Sequence, residues 1–268
     1  MSRRKALYCL ITLTVMTLIT LAAGCINIDT PGFSTVSGSG ELETREMDHA
    51  DFTRLDISYA FRAEVTRGDA FSVRITLDDN LYDYLEIKQR GDTLHIGMAS
   101  NHNYRDSTKI AAITMPSIEQ LELSGASTGN ISGFGPEPSL KFKVSGASSL
   151  SIDKVRAGNV GFDISGASHI SGSMDMDEVD LDVSGASSIE LGGTAVDITM
   201  DVSGASRLSL ASFAATNVNV DLSGASNAVI NVSGTLDVDL SGSSRLSYTG
   251  NPTIGDISVS GGSTITEK

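Results

Sequence analysis

The chain has two cysteines in 268 residues, Cys9 and Cys25. None follows residue 25, so the later sequence carries neither an internal disulfide nor a cysteine metal site. Cations are scarce: 19 Lys and Arg stand against 33 Asp and Glu, a formal charge of −14. Without Arg3, Arg4 and Lys5, the three cations of the first 24 residues, the remainder stands at −17. A surface of that sign repels phosphate backbones and anionic lipid, which excludes nucleic acid as a partner. Catalytic signatures are missing too. The four histidines, His49, His95, His102 and His169, are scattered without zinc-ligand spacing. No Gly-x-Ser-x-Gly elbow occurs. No catalytic residue is assigned, and the sequence reads as a non-enzyme.

What is present is a repeat. Ser-Gly-Ala-Ser starts at Ser124, Ser145, Ser165, Ser184, Ser203 and Ser223, and variants follow at Ser241 and Ser260. The steps are 21, 20, 19, 19, 20, 18 and 19 residues. A fixed short period marks a solenoid whose repeats pack on their neighbours. Before each motif the sequence alternates apolar and polar, as in Val179-Asp180-Leu181-Asp182-Val183, and a shorter alternating piece follows, as in Leu208-Ser209-Leu210. Alternation of period two is a half-buried strand. The motif is therefore a corner between strands, with Gly125, Gly146, Gly166, Gly185, Gly204, Gly224, Gly242 and Gly261 as its structural glycines. Glycine takes backbone angles that other residues avoid, and serine hydroxyls bond locally in turns. Leucine-rich repeats share the period but need a helical half and an Asn or Cys ladder, both absent here. The expected fold is all-β: a right-handed parallel β-helix of about 19–20 residues per coil, with coils about 4.8 Å apart. A flattened and a three-sided cross-section both fit.

The N-terminus reads as an address. Arg3, Arg4 and Lys5 precede an apolar stretch that ends in Leu21-Ala22-Ala23-Gly24-Cys25, similar to the lipobox of bacterial lipoproteins. Residues 1–24 are expected to be a lipoprotein signal peptide, with Cys25 taking the lipid and anchoring the chain to a membrane. An uncleaved anchor is the alternative. Residue 26 is Ile rather than Asp, so an outer membrane or cell-surface location is expected. Residues 25–40 read as a flexible tether.

Residues 41–123 are strand-rich but lack the motif until its first copy. Leu55-Asp56-Ile57 and Phe71 to Leu77 alternate, and Gly68-Asp69 and Gly91-Asp92 are turn signals. Leu81 to Gln89 fits a strand or one helical turn. This segment is expected to form irregular N-terminal coils that cap the regular coils of residues 124–268. Gly40-Glu41, Phe52-Thr53-Arg54-Leu55-Asp56-Ile57, Val65-Thr66-Arg67-Gly68-Asp69, Leu94-His95-Ile96 and the Leu121 to Ser127 segment resemble the bacterial "putative auto-transporter adhesin, head GIN domain" family. The resemblance spans about residues 38–266. It implies a right-handed β-helix shaped like pectin lyases but without their catalytic residues, and a role in cell adhesion.

The polar columns hold the candidate site. Asp163, Asp182, Asp201, Asp221 and Asp239 each sit two residues before the motif. Stacked in register they form a carboxylate ladder, and like charges at that spacing repel by roughly 1 kcal/mol per pair in water. Solvation, raised pKa values, serine hydroxyls or calcium would offset this. Weak calcium binding is one reading and a solvated acidic face is the other; no further cofactor is expected. Asp180, Asp237 and Asp256 would add a partial second column. A paired-carboxylate glycosidase is disfavoured because these positions are the repeat itself. Arg-Gly-Asp occurs at Arg67 to Asp69 and at Arg90 to Asp92, in both cases as ordinary turn chemistry. The expected role is adhesion or envelope interaction through a glycan or protein ligand. A glycan- or calcium-binding module and a structural spacer are the alternatives. The charges at Glu267 and Lys268 predict a monomer.

Overall fold

The computed structural model describes residues 34–268. The expected signal peptide, Cys25 and the first part of the expected tether lie outside the described residues. Among the described residues no helix is long and apolar enough to cross a membrane. Where the tether was expected to end, the chain is held. Val36 packs against the core. Gly38 N donates to Arg105 O at 3.1 Å, and Gly40 N donates to Asp78 Oδ1 at 2.8 Å.

From residue 54 onward the chain winds as a β-solenoid of about seven turns. One face stacks Arg54–Ile57, Gln120–Leu123 and Glu137–Val144. It continues through the second halves of four long strands, Ser149–Ile164, His169–Val183, Ser188–Val202 and Arg207–Leu222. Thr235–Leu240 and Thr253–Val259 complete it. The second face stacks Arg62–Arg67, Thr128–Ser132, the first halves of the long strands, Asn227–Val232, Arg245–Thr249 and Thr264–Glu267. All these neighbours pair in parallel. Between the faces the long strands bend, with register shifts near Ile152, Glu190 and Leu210. A short third stretch there buries Val155, Met174 and Phe213.

The corners follow from one carbonyl. Gly166, Gly185, Gly204 and Gly224 have φ of 76°, 80°, 78° and 72°, the left-handed region that costs other residues energy. A Cβ on any of them would lie against the carbonyl oxygen of the glycine one coil below. That oxygen is already used: the amides of Ala167, Ala186, Ala205 and Ala225 each donate at 2.8 Å to Gly146, Gly166, Gly185 and Gly204. The fourth residue of the motif turns inward. Ser168, Ser187, Ser206 and Ser244 are buried, and their hydroxyls donate to the carbonyls of Ser165, Ser184, Ser203 and Ser241 at 2.8–3.1 Å. A polar column thus runs inside the corner: these four hydroxyls find a partner three residues back, whereas those of Ser127, Ser148 and Ser226 at the same motif position are buried without one.

The first half departs from chain order. Thr93–Met98 and Lys109–Met115 pair outside Arg54–Ile57 and Arg62–Arg67, so a later segment forms the outer coil. Beyond it the pairing turns antiparallel. Ser72–Asp78 lies against Lys109–Met115, Leu42–Met47 against Ser72–Asp78, and Leu85–Arg90 against Thr93–Met98. The ambiguous stretch after Leu81 is both things read from it: a 3₁₀ helix at Asp79–Tyr84, then the strand Leu85–Arg90. Leu81 is fully buried. The Tyr82 hydroxyl reaches Ile75 O at 2.6 Å, and the Arg45 guanidinium sits 3.8 Å over the Tyr82 ring. A corner without glycine also appears, with Tyr59 and Ala60 at φ of 64° and 59°.

Candidate interaction face

The stacking register decides which polar side chains meet. On the first face Asp163, Asp182, Asp201, Asp221 and Asp239 are successive partners, one per coil. The column continues the other way through Lys143, Glu122 and Asp56 to His95. Cations meet acids in this outer part. His95 Nδ1 lies 2.9 Å from Asp56 Oδ2, and Lys143 Nζ lies 3.9 Å from Glu122 Oε2. From Asp163 onward the column holds no cation, and among the described residues its five aspartates make no salt bridge. Partial desolvation, then Asp201 and Asp239 on either side, push the Asp221 carboxyl above the ordinary aspartate range. Glu122 is raised as well, by desolvation first and then by Asp56.

The aspartates run in a line rather than around a point. Among the described residues no three His, Cys, Asp or Glu side chains gather into a set that would hold a metal ion. The second acidic column is interrupted: Thr199 and Asn219 stand between Asp180 and Asp237. Asp256 falls at a register shift, where its amide donates to Asp237 Oδ1 at 2.8 Å.

Beside the ladder the same face opens into a groove of about 670 Å³ lined by residues of six successive coils. Arg54, ion-paired with Glu119 at 3.2 Å, and Lys141 stand toward one end and Glu178, Asp180 and Asp197 toward the other. Gly161 lies between Lys141 and Asp180 in the stacking register. A Cβ there would meet only the Lys141 side chain, so the missing side chain opens the floor. Neighbouring groups are pre-ordered along the stack: Asn217 Nδ2 donates to Asp197 Oδ1 at 2.8 Å, and Thr235 Oγ1 donates to Asn217 Oδ1 at 2.9 Å. The groove therefore offers cations, anions and neutral hydrogen-bonding groups on a rigid sheet. Nothing in the chain pattern marked it, because Gly161 is an irregularity inside a strand and not a corner.

The second face is chemically different. Its outer column reads Arg62, Thr128, Ser149, His169, Ser188, Arg207, Asn227, Arg245 and Thr264. His169 has serines above and below it and no carboxylate in its column. Both Arg-Gly-Asp copies begin at the end of a strand, one leading into a turn and one into a bend. Gly91 has φ of 60° within the Leu85–Arg90 hairpin, and Arg67 Nη1 donates to Gly135 O at 2.7 Å.

The molecule is thus a β-solenoid with an antiparallel cap, one acidic grooved face and one serine- and threonine-rich face. It belongs to the family described as "Putative auto-transporter adhesin, head GIN domain", whose model matches residues 51–252. A search of curated proteins returns no match. Solved structures share the fold. A putative adhesin from Parabacteroides distasonis superposes with a TM-score of 0.81 at 17% identity, covering 88% of this chain and 100% of its own. One from Parabacteroides merdae gives 0.77 at 18%, covering 88% and 99%. A putative lipid binding protein from P. distasonis gives 0.75 at 20%, covering 88% and 100%. The family and these neighbours are described as adhesins or lipid-binding proteins, not as enzymes, and the adhesin description points to a cell-surface or exported chain.

Proposed function

We propose that this chain is a non-catalytic envelope lipoprotein, tethered through Cys25, that makes adhesive contacts through its grooved acidic face. The observation that carries the reading is the groove beside the ladder. Its lining brings cations and anions of successive coils together, with Arg54 and Lys141 in the same groove as Glu178 and Asp180. Mixed hydrogen-bonding groups on a rigid, preformed surface suit a polar ligand such as a glycan or an extended protein segment. Binding of residues 26–268 to a glycan and matrix-protein array, beside Lys141→Ala and Asp180→Asn, tests it. A ligand retained by the wild type and lost by both variants supports the reading. A blank array, or a ligand that ignores both substitutions, removes the groove from the proposal. Anchoring is separable: labelled fatty acid should be incorporated by the wild type and not by Cys25→Ser.

The alignment of five aspartates favours a second reading, weak calcium binding between adjacent rungs. Calorimetry at millimolar calcium, with Asp201→Asn and Asp221→Asn, tests it. Heat that disappears in the variants supports calcium, and no heat with no shift in melting temperature ends it.

A further inference from the structure

Among the described residues, nothing covers the coil of residues 253–267. Leu236, Val238 and Leu240 of the preceding coil are 0%, 4% and 0% exposed. Their partners one coil on, Ile254, Ile257 and Val259, are 43%, 46% and 44% exposed. Three side chains at the inward positions of the repeat thus lie open, beside the free edges of Thr253–Val259 and Thr264–Glu267. Throughout the stack such positions are covered by another coil carrying the same kinds of residue at the same spacing.

We propose that this end pairs with the same end of a second copy, giving a two-fold dimer joined at the C-terminal coils. Three observations select that occupant. First, the surface needs strand edges and inward aliphatic side chains together, and a coil of this repeat supplies both. Second, the other end of the stack cannot supply them. There the edges are antiparallel strands, and each carries three charges: Glu43, Arg45 and Glu46 on Leu42–Met47, and Glu86, Lys88 and Arg90 on Leu85–Arg90. Charged edge strands discourage pairing. Third, the exposed edges are nearly uncharged: Asp256 and Glu267 are the only charged residues in the two strands. The register shift at Gly255-Asp256 blunts the start of the first edge. From Ile257 through the corner at Gly261 the edge continues without a shift to Glu267. Contact between identical patches closes after two copies. Such a dimer would also present the grooved face twice, so that a repetitive ligand gains avidity without any new contact.

Sedimentation of lipid-free residues 26–268 across a concentration series tests the proposal, with the double variant Ile257→Lys/Val259→Lys alongside. The wild type should populate a dimer, and the variant should shift its dissociation constant at least tenfold upward. Because both positions are already about half exposed, its melting temperature in the dilute, monomeric regime should match the wild type. Spin labels on Asp256→Cys should then lie within about 30 Å of each other. Labels on Ser39→Cys should lie about 60 Å or more apart, from seven or so coils of about 4.8 Å on each side. A monomer at every concentration, a dimer indifferent to the two lysines, growth beyond dimers, or close Ser39 labels would each overturn it.

Discussion

At the end built from residues 72–115, antiparallel strands and the 3₁₀ turn bring Leu81 and Tyr82 over the core, and Leu94 and Ile96 are fully buried. At the end built from residues 253–267, the same kind of aliphatic layer lies open. The difference teaches how a solenoid terminates. A parallel coil always leaves a second edge of the same kind, so more of the repeat never closes the stack. Closure needs a change of strand direction, and that is where the motif is missing. Aromatics follow the same division. Five of the buried rings, Phe52, Phe61, Phe134, Phe142 and Phe162, lie at or before residue 162, while the later coils bury Phe213 among Ile, Leu, Val and Met.

The sharpest way to break this comparison is to remove matched side chains from the two ends. Phe52 is fully buried, its ring tilted against that of Phe71 with centroids 4.9 Å apart. Phe52→Ala should cost about 3–5 kcal/mol, read as a fall in melting temperature of about 6 °C or more. Ile257→Ala at the open end should stay within about 0.5 kcal/mol under dilute conditions. Equal losses would show that the last coil is as covered as the first.

Corner glycines come next. Gly204→Ala puts a Cβ against the Gly185 carbonyl as well as forcing a positive φ. Gly91→Ala in the cap hairpin meets nothing within 4 Å and pays only for its φ of 60°. We expect about 2–4 kcal/mol for Gly204→Ala and about 1 kcal/mol for Gly91→Ala, compared by chemical denaturation. Similar values would mean that the coils shift apart to admit the methyl group.

The inward serines predict a smaller effect. Ser206→Ala loses the 3.1 Å bond to the Ser203 carbonyl and should cost about 1 kcal/mol. Hydrogen exchange should show the loss concentrated in the neighbouring coils, since a solenoid transmits it only through nearest neighbours.

The smallest effect has the opposite sign. The folded Asp221 carboxyl holds its proton more tightly than an unfolded aspartate does. The folded chain therefore binds more protons, and this group lowers stability as pH rises through its titration. Asp221→Asn should melt slightly higher at pH 7, by about 1 °C. The gain should fade as pH falls through about 4, the unfolded aspartate value, and vanish once both states are protonated. An Asp221→Asn protein that melts lower at pH 7 would show that the ladder is held by something other than water.

The regular coils were legible because everything in them is local or strictly periodic. Alternation set which side chains face in, and a constant step set which residues meet, so Asp182 and Asp201 could be paired from spacing alone. The cap was much less so. Tyr59 and Ala60 make a corner with no glycine to announce it, and Thr93–Met98 pairs with Arg54–Ile57 across 39 residues without a repeat to reveal the partner. The groove was illegible for the same reason: Gly161 matters only because Lys141 and Asp180 are its neighbours in the stack.

By itself, then, the sequence determined a parallel β-stack, its rung spacing, its glycine corners and the line of aspartates, because period and alternation act residue by residue through backbone sterics and burial. Only the tertiary structure decided the order of the first coils, the direction reversal that closes one end, the groove on one face and the apolar layer left open at residues 253–267. Those depend on contacts between segments far apart in the chain, where no local pattern names the partner.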